Sequence, residues 1–204
     1  MKNVITNTKK GFLMVTMFAT MLSFANESSF YTIKNDAKKT SLTLESVKKG
    51  SLLSIKDGNG LILYKEFIQK SGVYTKGFDL STLPNGTYVF ELDSDVEIKT
   101  IPFTVKSSTV AFEKDLELTI FKPVVRVEND MVFVSKLALN KEDLKIDVYF
   151  ESMDSLYTST AVYTETVENT KKIERVFKLT GLDEGRYKMV FTSEGREYTE
   201  YIGK

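Results

Sequence analysis

From Leu144 to Glu151 apolar and polar side chains alternate, with Leu144, Ile146, Val148 and Phe150 on one side and Lys145, Asp147, Tyr149 and Glu151 on the other. A period of two is the mark of a strand that packs one face and wets the other. The same reading sets Tyr88, Phe90 and Leu92 against Thr87, Val89 and Glu91, and Tyr187, Met189 and Phe191 against Arg186, Lys188 and Thr192. Helix-period stretches are absent, and short runs rich in Val, Ile, Tyr, Phe and Thr recur between turn-forming clusters, so the pattern predicts an all-β chain. The predicted strands of the first half are "TSLTLES", "LLSIKD", "LILYKEFI", "VYTKGFDL", "TYVFELD" and "VEIKTIPFTV". Those of the second half are "LELTIF", "VVRVE", "MVFVSKLAL", "LKIDVYFE", "SLYTSTAVY", "IERVFKLT", "RYKMVFTS" and "REYTEYI".

One phrase occurs twice. Phe78 to Leu92 reads "FDLSTLPNGTYVFEL" and Phe177 to Phe191 reads "FKLTGLDEGRYKMVF", so Phe78, Leu80, Leu83, Gly86 and Tyr88 match Phe177, Leu179, Leu182, Gly185 and Tyr187. With one extra residue in the next turn of the second copy, Glu97 and Ile98 match Glu197 and Tyr198. The apolar phase then slips, from Ile98 to Ile101 and from Tyr198 to Tyr201, which predicts a bulge or a change of partner sheet. The repeat implies a duplication: two tandem immunoglobulin-like β-sandwich domains, spanning residues 26–106 and 107–204. Within the phrase, Leu83 and Leu182 are expected to plug the end of each sandwich. Gly86 and Gly185 are expected to supply positive φ to the turn. Tyr88 and Tyr187 resemble the tyrosine corner of immunoglobulin-like folds. These residues read as structural, because such corners belong to folds and not to activities.

Composition adds an address. Lys2, Lys9 and Lys10 precede the apolar run "GFLMVTMFATMLSFA", whose 15 residues include Thr16, Thr20 and Ser23 and fall short of the roughly 20 that span a bilayer. Residues 1–25 are therefore read as a signal peptide cleaved between Ala25 and Asn26. No second apolar stretch of spanning length follows, so no membrane span is expected in the mature chain. The absence of cysteine removes disulfides and a lipid attachment site. An unstapled exported chain of 179 mature residues needs domains large enough to be held by burial alone, and its length suits two of them. Loss of three lysines leaves the mature chain about three charges negative, which offers no basic footprint for nucleic acid.

The chain also lacks histidine and tryptophan. Without His and Cys there is no Ser-His-Asp or Cys-His machinery and no zinc site of the usual kind. Scattered carboxylates leave a glycosidase-like pair as the only catalytic option, and a solvated charged surface is the plainer reading. "DGNG" at Asp57 to Gly60 begins like a calcium loop, but Leu61 breaks the ligand pattern and a hairpin turn fits better. The acidic turn from Glu91 to Glu97, with Asp93 and Asp95, leaves calcium an open question. No cofactor is called for. The run "LILYKEFI" is apolar on both faces, which marks a strand covered twice or an edge awaiting a partner. Ile62, Tyr64 and Ile68 are expected to share a face there and to contact either the second domain or another protein.

The segment "LLSIKDGNGLILYKEFIQKSGVYTKGFDLSTLPNGTYVFELDSDVEIKTIPFTV" resembles the C-terminal sorting domains of type IX secretion, and the small exported immunoglobulin-like domains of unknown function from the same Gram-negative bacteria. The shared features are a strand ending in a D-x-x-G-like turn, an aromatic-bearing return strand and "DLSTLPNGTYVFEL". The resemblance implies an exported, non-catalytic binding or structural protein of the cell envelope, in the periplasm, on the outer-membrane surface or secreted, with another envelope or surface protein as partner. A sorted surface protein is the alternative, and a carboxylate-based hydrolase is the more distant one.

Overall fold

The computed structural model describes residues 30–36, 39–152, 159–180, 182 and 184–203. The proposed signal peptide, with Ala25 and Asn26, lies outside the described residues. The first half runs through β1 (Tyr31–Asp36), β2 (Lys39–Val47), β3 (Leu52–Asp57), β4 (Ile62–Phe67), β5 (Gly72–Phe78), β6 (Gly86–Asp93), β7 (Glu97–Lys106), β8 (Thr109–Phe112) and β9 (Leu118–Phe121). The second continues with β10 (Val124–Glu128), β11 (Met131–Leu137), β12 (Leu144–Ser152), β13 (Ser159–Val167), β14 (Lys172–Lys178), β15 (Gly185–Ser193) and β16 (Arg196–Ile202). The only helical pieces among the described residues are 3₁₀ turns at Leu80–Thr82 and Lys114–Leu116. The fold is all-β and sandwich-like, and among the described residues the sheets form no closed barrel.

The two halves repeat one topology. Sheet β1-β2-β5 has its counterpart in β10-β11-β14, and β4-β3-β6-β7 in β13-β12-β15-β16, every pair being antiparallel. In constant-type immunoglobulin domains the fourth strand joins the first sheet. Here it pairs with the third strand instead, so each half is built on three strands facing four, to which the first half adds β8 and β9 beside β7. Each half has its own core between the sheets: Leu42, Leu44, Leu53, Ile55, Phe90 and Phe103 in one, Val132, Val134, Leu144, Ile146, Met189 and Phe191 in the other.

Tyr88 pairs with Phe103 and Tyr187 with Ile202, so the repeat keeps its spacing through both hairpins. That corrects the alignment of Ile98 with Tyr198. Neither hairpin has a register shift, and no bulge causes the slip. Ile98 lies on the outer face, paired with Ile120 of β9, while Ile101 lies on the inner face. Tyr198 sits opposite Phe191 on the inner side and Tyr201 opposite Lys188 on the outer side.

Strand β1 is absent from the sequence reading, and "LELTIF" belongs to the first half. Strands β8 and β9 lie end to end along the outer edge of β7, and Val110 and Phe112 pack on the first core. The Tyr31 hydroxyl also donates to Glu117. A division at 106/107 would cut this sheet, and the first half extends to Phe121. Pro102 falls in the gap between β8 and β9, where β7 needs no N–H, so β7 is paired along both edges although a proline within a strand is usually found at an open edge.

Candidate interaction surface

The repeated turn is built from unlike glycines. Among the described residues the glycines with positive φ are Gly50, Gly60, Gly72 and Gly195, so Gly86 and Gly185 do not supply the left-handed conformation expected of them. Gly86 has room for a Cβ, whose nearest neighbour would be the Tyr88 ring at 3.6 Å. At Gly185 a Cβ would overlap the Glu151 carbonyl oxygen and stand 2.7 Å from the Phe150 ring, so close approach of β12 is what demands glycine there. The tyrosine hydroxyls each donate to a carbonyl upstream, Tyr88 to Pro84 and Tyr187 to Thr180, both at 2.7 Å. Leu83 and Leu182 pack against the ends of their respective cores.

Strand β4 is the outermost strand of its sheet. Its pairing with β3 shifts between Ile55 and Lys56, which leaves Leu63 as an extra residue. Tyr64 then faces inward opposite Ile55, whereas Ile62 lies opposite Lys56 and is turned to the outer face. This breaks the expected trio. Ile68 is 1 % exposed and part of the core, Tyr64 packs on that core, and only Ile62 is open. The free apolar row is instead Leu61 (64 % exposed), Ile62 (47 %), Leu63 (44 %) and Phe67 (59 %). The counterpart strand β13 is also exposed but carries Thr160, Ala161, Val162, Thr164 and Thr166.

Beneath the row, β4 and β5 are clasped across the side of the sandwich. The Tyr64 hydroxyl and Lys76 Nζ both bond the Glu66 carboxylate, Lys76 Nζ donates to Tyr64 at 2.6 Å, and Tyr74 donates to Glu66 at 3.1 Å. Hydrogen bonds from Lys76 and Tyr64 hold the Glu66 carboxyl down at about 2. Burial, then the hydrogen bond to Glu66, pushes the Tyr74 phenol up. The second half repeats the clasp: Tyr163 donates to Glu165 at 2.9 Å, and Arg175 holds the same carboxylate through Nε and Nη2. Tyr64 stands edge-on to Phe78 as Tyr163 does to Phe177. Sequence reading missed the clasps, although Tyr64, Glu66 and Lys76 stand at the spacing of the repeat from Tyr163, Glu165 and Arg175.

A third cluster joins the halves. Glu91 lies on the outer face of β6 yet is buried, because Arg196 Nη2 reaches it at 2.6 Å while Lys56 holds its other oxygen at 2.6 Å. Burial alone would push the Glu91 carboxyl up, but the bonds from Arg196 and Lys56 outweigh it and hold the group below its ordinary value. Arg196 follows a tight turn in which Glu194 and Gly195 both take positive φ. The groove beside this junction encloses about 390 Å³ and is lined by Val96, Phe121, Val124 and Leu137 with Lys172 and Glu174 at its rim. A smaller recess of about 90 Å³ holds Glu45 and Glu97, but Glu97 is ion-paired with Lys99 at 2.9 Å.

The acidic turns also have internal partners. Asp57 Oδ1 accepts from the N–H groups of Asn59 (2.9 Å) and Leu61 (2.8 Å), as a hairpin turn requires, and Asp93 is ion-paired with Lys122. Among the described residues no group of acidic side chains is placed to hold a metal ion. No described helix is long and apolar enough to cross a membrane.

No family model matches the chain, and no curated protein matches it. Among solved structures it is similar to a biofilm-associated protein BSP domain, at 11 % identity and a TM-score of 0.26 over 85 % of this chain. The chain spans 29 % of the length of that one. A structure of neurohormone perception by the receptor tyrosine kinase Torso is similar at 6 % identity and a TM-score of 0.20, over 85 % of this chain and 72 % of that one. Both likenesses are too slight to carry an argument about activity.

Proposed function

We propose that the chain is an exported, non-catalytic binding protein of the cell envelope, made of two successive sandwich units that meet at Lys122 and Pro123, and that it engages another envelope or surface protein through β4. The observation that carries this reading is the apolar row Leu61, Ile62, Leu63 and Phe67 on an edge strand whose counterpart in the other half bears mainly threonines and small residues. Exposed apolar side chains scattered singly are ordinary, but a contiguous row on a sheet edge marks a contact surface. Export rests on the leader-like residues 1–25. Neither the sorting-domain nor the hydrolase alternative is favoured by an observation of this kind; for a hydrolase, Glu174 is the one acid among the described residues that lines the larger groove.

The test is fractionation of cells expressing the full chain with a small internal tag. The native chain is expected in the envelope fraction, and a Leu63→Lys, Phe67→Lys double variant, folded by its melting curve, is expected to leave it. Recovery of the native chain in the cytosol would overturn export. Retention of the double variant would overturn the role of β4.

A further inference from the structure

We infer that β4 takes an added strand from a partner protein, and that this strand is acidic and apolar in alternation. The inference rests on the reading of β4 as a partner surface and adds the partner's chemistry. Two features point the same way.

The first is the edge. With β3 on one side only, β4 leaves main-chain donors and acceptors unpaired along the other, and an extended segment satisfies them while its alternate side chains meet the exposed row. A lipid surface would cover Leu61, Leu63 and Phe67 but could not pair that backbone.

The second is charge. Lys65 stands on the outer face between Leu63 and Phe67 and forms no ion pair among the described residues. At the Phe67 end, Gly50 N donates to Ile68 O, Ile68 N donates to Ser51 O, and Lys49 N donates to Ser71 Oγ, so the loops of residues 48–51 and 68–71 lie side by side. They bring Lys48, Lys49 and Lys70 together, all exposed and likewise without ion pairs among the described residues. The corresponding loops of the second half read Asn140, Lys141, Glu142, Asp143 and Glu168, Asn169, Thr170, Lys171, where Lys141 is already bonded to Asn169. A cationic end on a near-neutral chain selects an acidic partner and speeds its encounter. A second copy fits poorly. Antiparallel self-pairing of β4 that sets Phe67 against Leu63 also sets Lys65 against Lys65, and like charges directly opposite destabilise a sheet.

The experiment is fluorescence anisotropy of the full chain with a short labelled peptide alternating valine and glutamate, and with its counterpart bearing lysine in place of glutamate. The acidic peptide is expected to bind, to weaken as salt is raised, and to weaken about tenfold on Lys49→Glu with Lys65→Glu, both exposed positions. The lysine peptide is expected not to bind. Equal binding of the two peptides, or no effect of the charge reversals, overturns the inference. So does capture of phosphatidylserine vesicles in place of the peptide, or self-association of the chain that Lys65→Ala strengthens. If the peptide fails while Leu63→Lys, Phe67→Lys still releases the chain from the envelope, strand addition is wrong and the surface stands. If both fail, the surface itself is wrong.

Discussion

Strands β4 and β13 occupy the same place in the two halves and carry the same tyrosine and glutamate, clasped by a cation from the facing strand, yet β4 offers leucines and phenylalanine to its surroundings where β13 offers mainly threonines beside Val162 and Tyr163. Most of what faces inward or bridges the two sheets is alike in the two halves, because it holds the sandwich, with Lys136 in the place of Leu44 as an exception. What faces outward has diverged, because only a partner constrains it. The difference therefore separates scaffold from surface within one molecule, with each half serving as the control for the other.

Swapping matched residues tests how alike the scaffolds are. The largest contrast is expected at the turn glycines. Gly185→Val should cost the second half about 3 kcal/mol, since the new side chain meets the Glu151 carbonyl and the Phe150 ring, whereas Gly86→Val should cost the first half under about 1 kcal/mol. Equal losses in thermal melts would show that the two corners are packed alike. Next is the junction. Arg196→Ala strips Glu91 of one cation and of part of its cover, and about 2 kcal/mol should be lost, with the halves melting more independently by calorimetry. Since the folded Glu91 carboxyl titrates below its unfolded value, the contact is present above about pH 4.5 and weakens as the pH falls below it.

A smaller effect of opposite sign is expected at Lys136. It takes the inward position that Leu44 holds in the first half, buried, with its ammonium 3.3 Å from Leu137 O and 3.7 Å from Glu194. Lys136→Leu should raise stability in urea melts by about 1 kcal/mol, because a buried ion pair is often no better than a good apolar fit. A loss would show that the lysine organises the Glu194 turn. Smallest is the clasp. Tyr64→Phe should cost under about 1 kcal/mol at neutral pH, as a partly exposed hydrogen bond does. The Glu66 carboxylate has its pKa lowered from 4.5 to about 2, so the clasp is complete above pH 4.5 and is lost as the pH falls toward 2. The deficit of Tyr64→Phe relative to the native chain should shrink across that window.

Much of the scaffold was legible in the sequence because strand alternation and a constant repeat spacing are local and periodic signals. Leu144, Ile146 and Val148 point where the pattern places them. Strand β1 was not legible, since it offers only Tyr31 and Ile33 as apolar positions and its burial depends on β2. The surface was half legible. The two-sided run from Leu61 to Ile68 stands out, but the bulge at Leu63 reverses the phase and nothing in the residues announces a bulge, so the alternation places Tyr64 and Ile68 on the contact face although both turn inward. The Glu91 and Arg196 pair joins positions far apart in the chain, which no local pattern reveals.

The claim that one half carries the surface and the other does not is tested most directly by a photo-reactive side chain placed in living cells at Phe67 or, separately, at the matching Thr166. The account predicts a discrete adduct with another envelope protein from position 67 and none from position 166. Adducts of equal yield from both positions, or from position 166 alone, would contradict it.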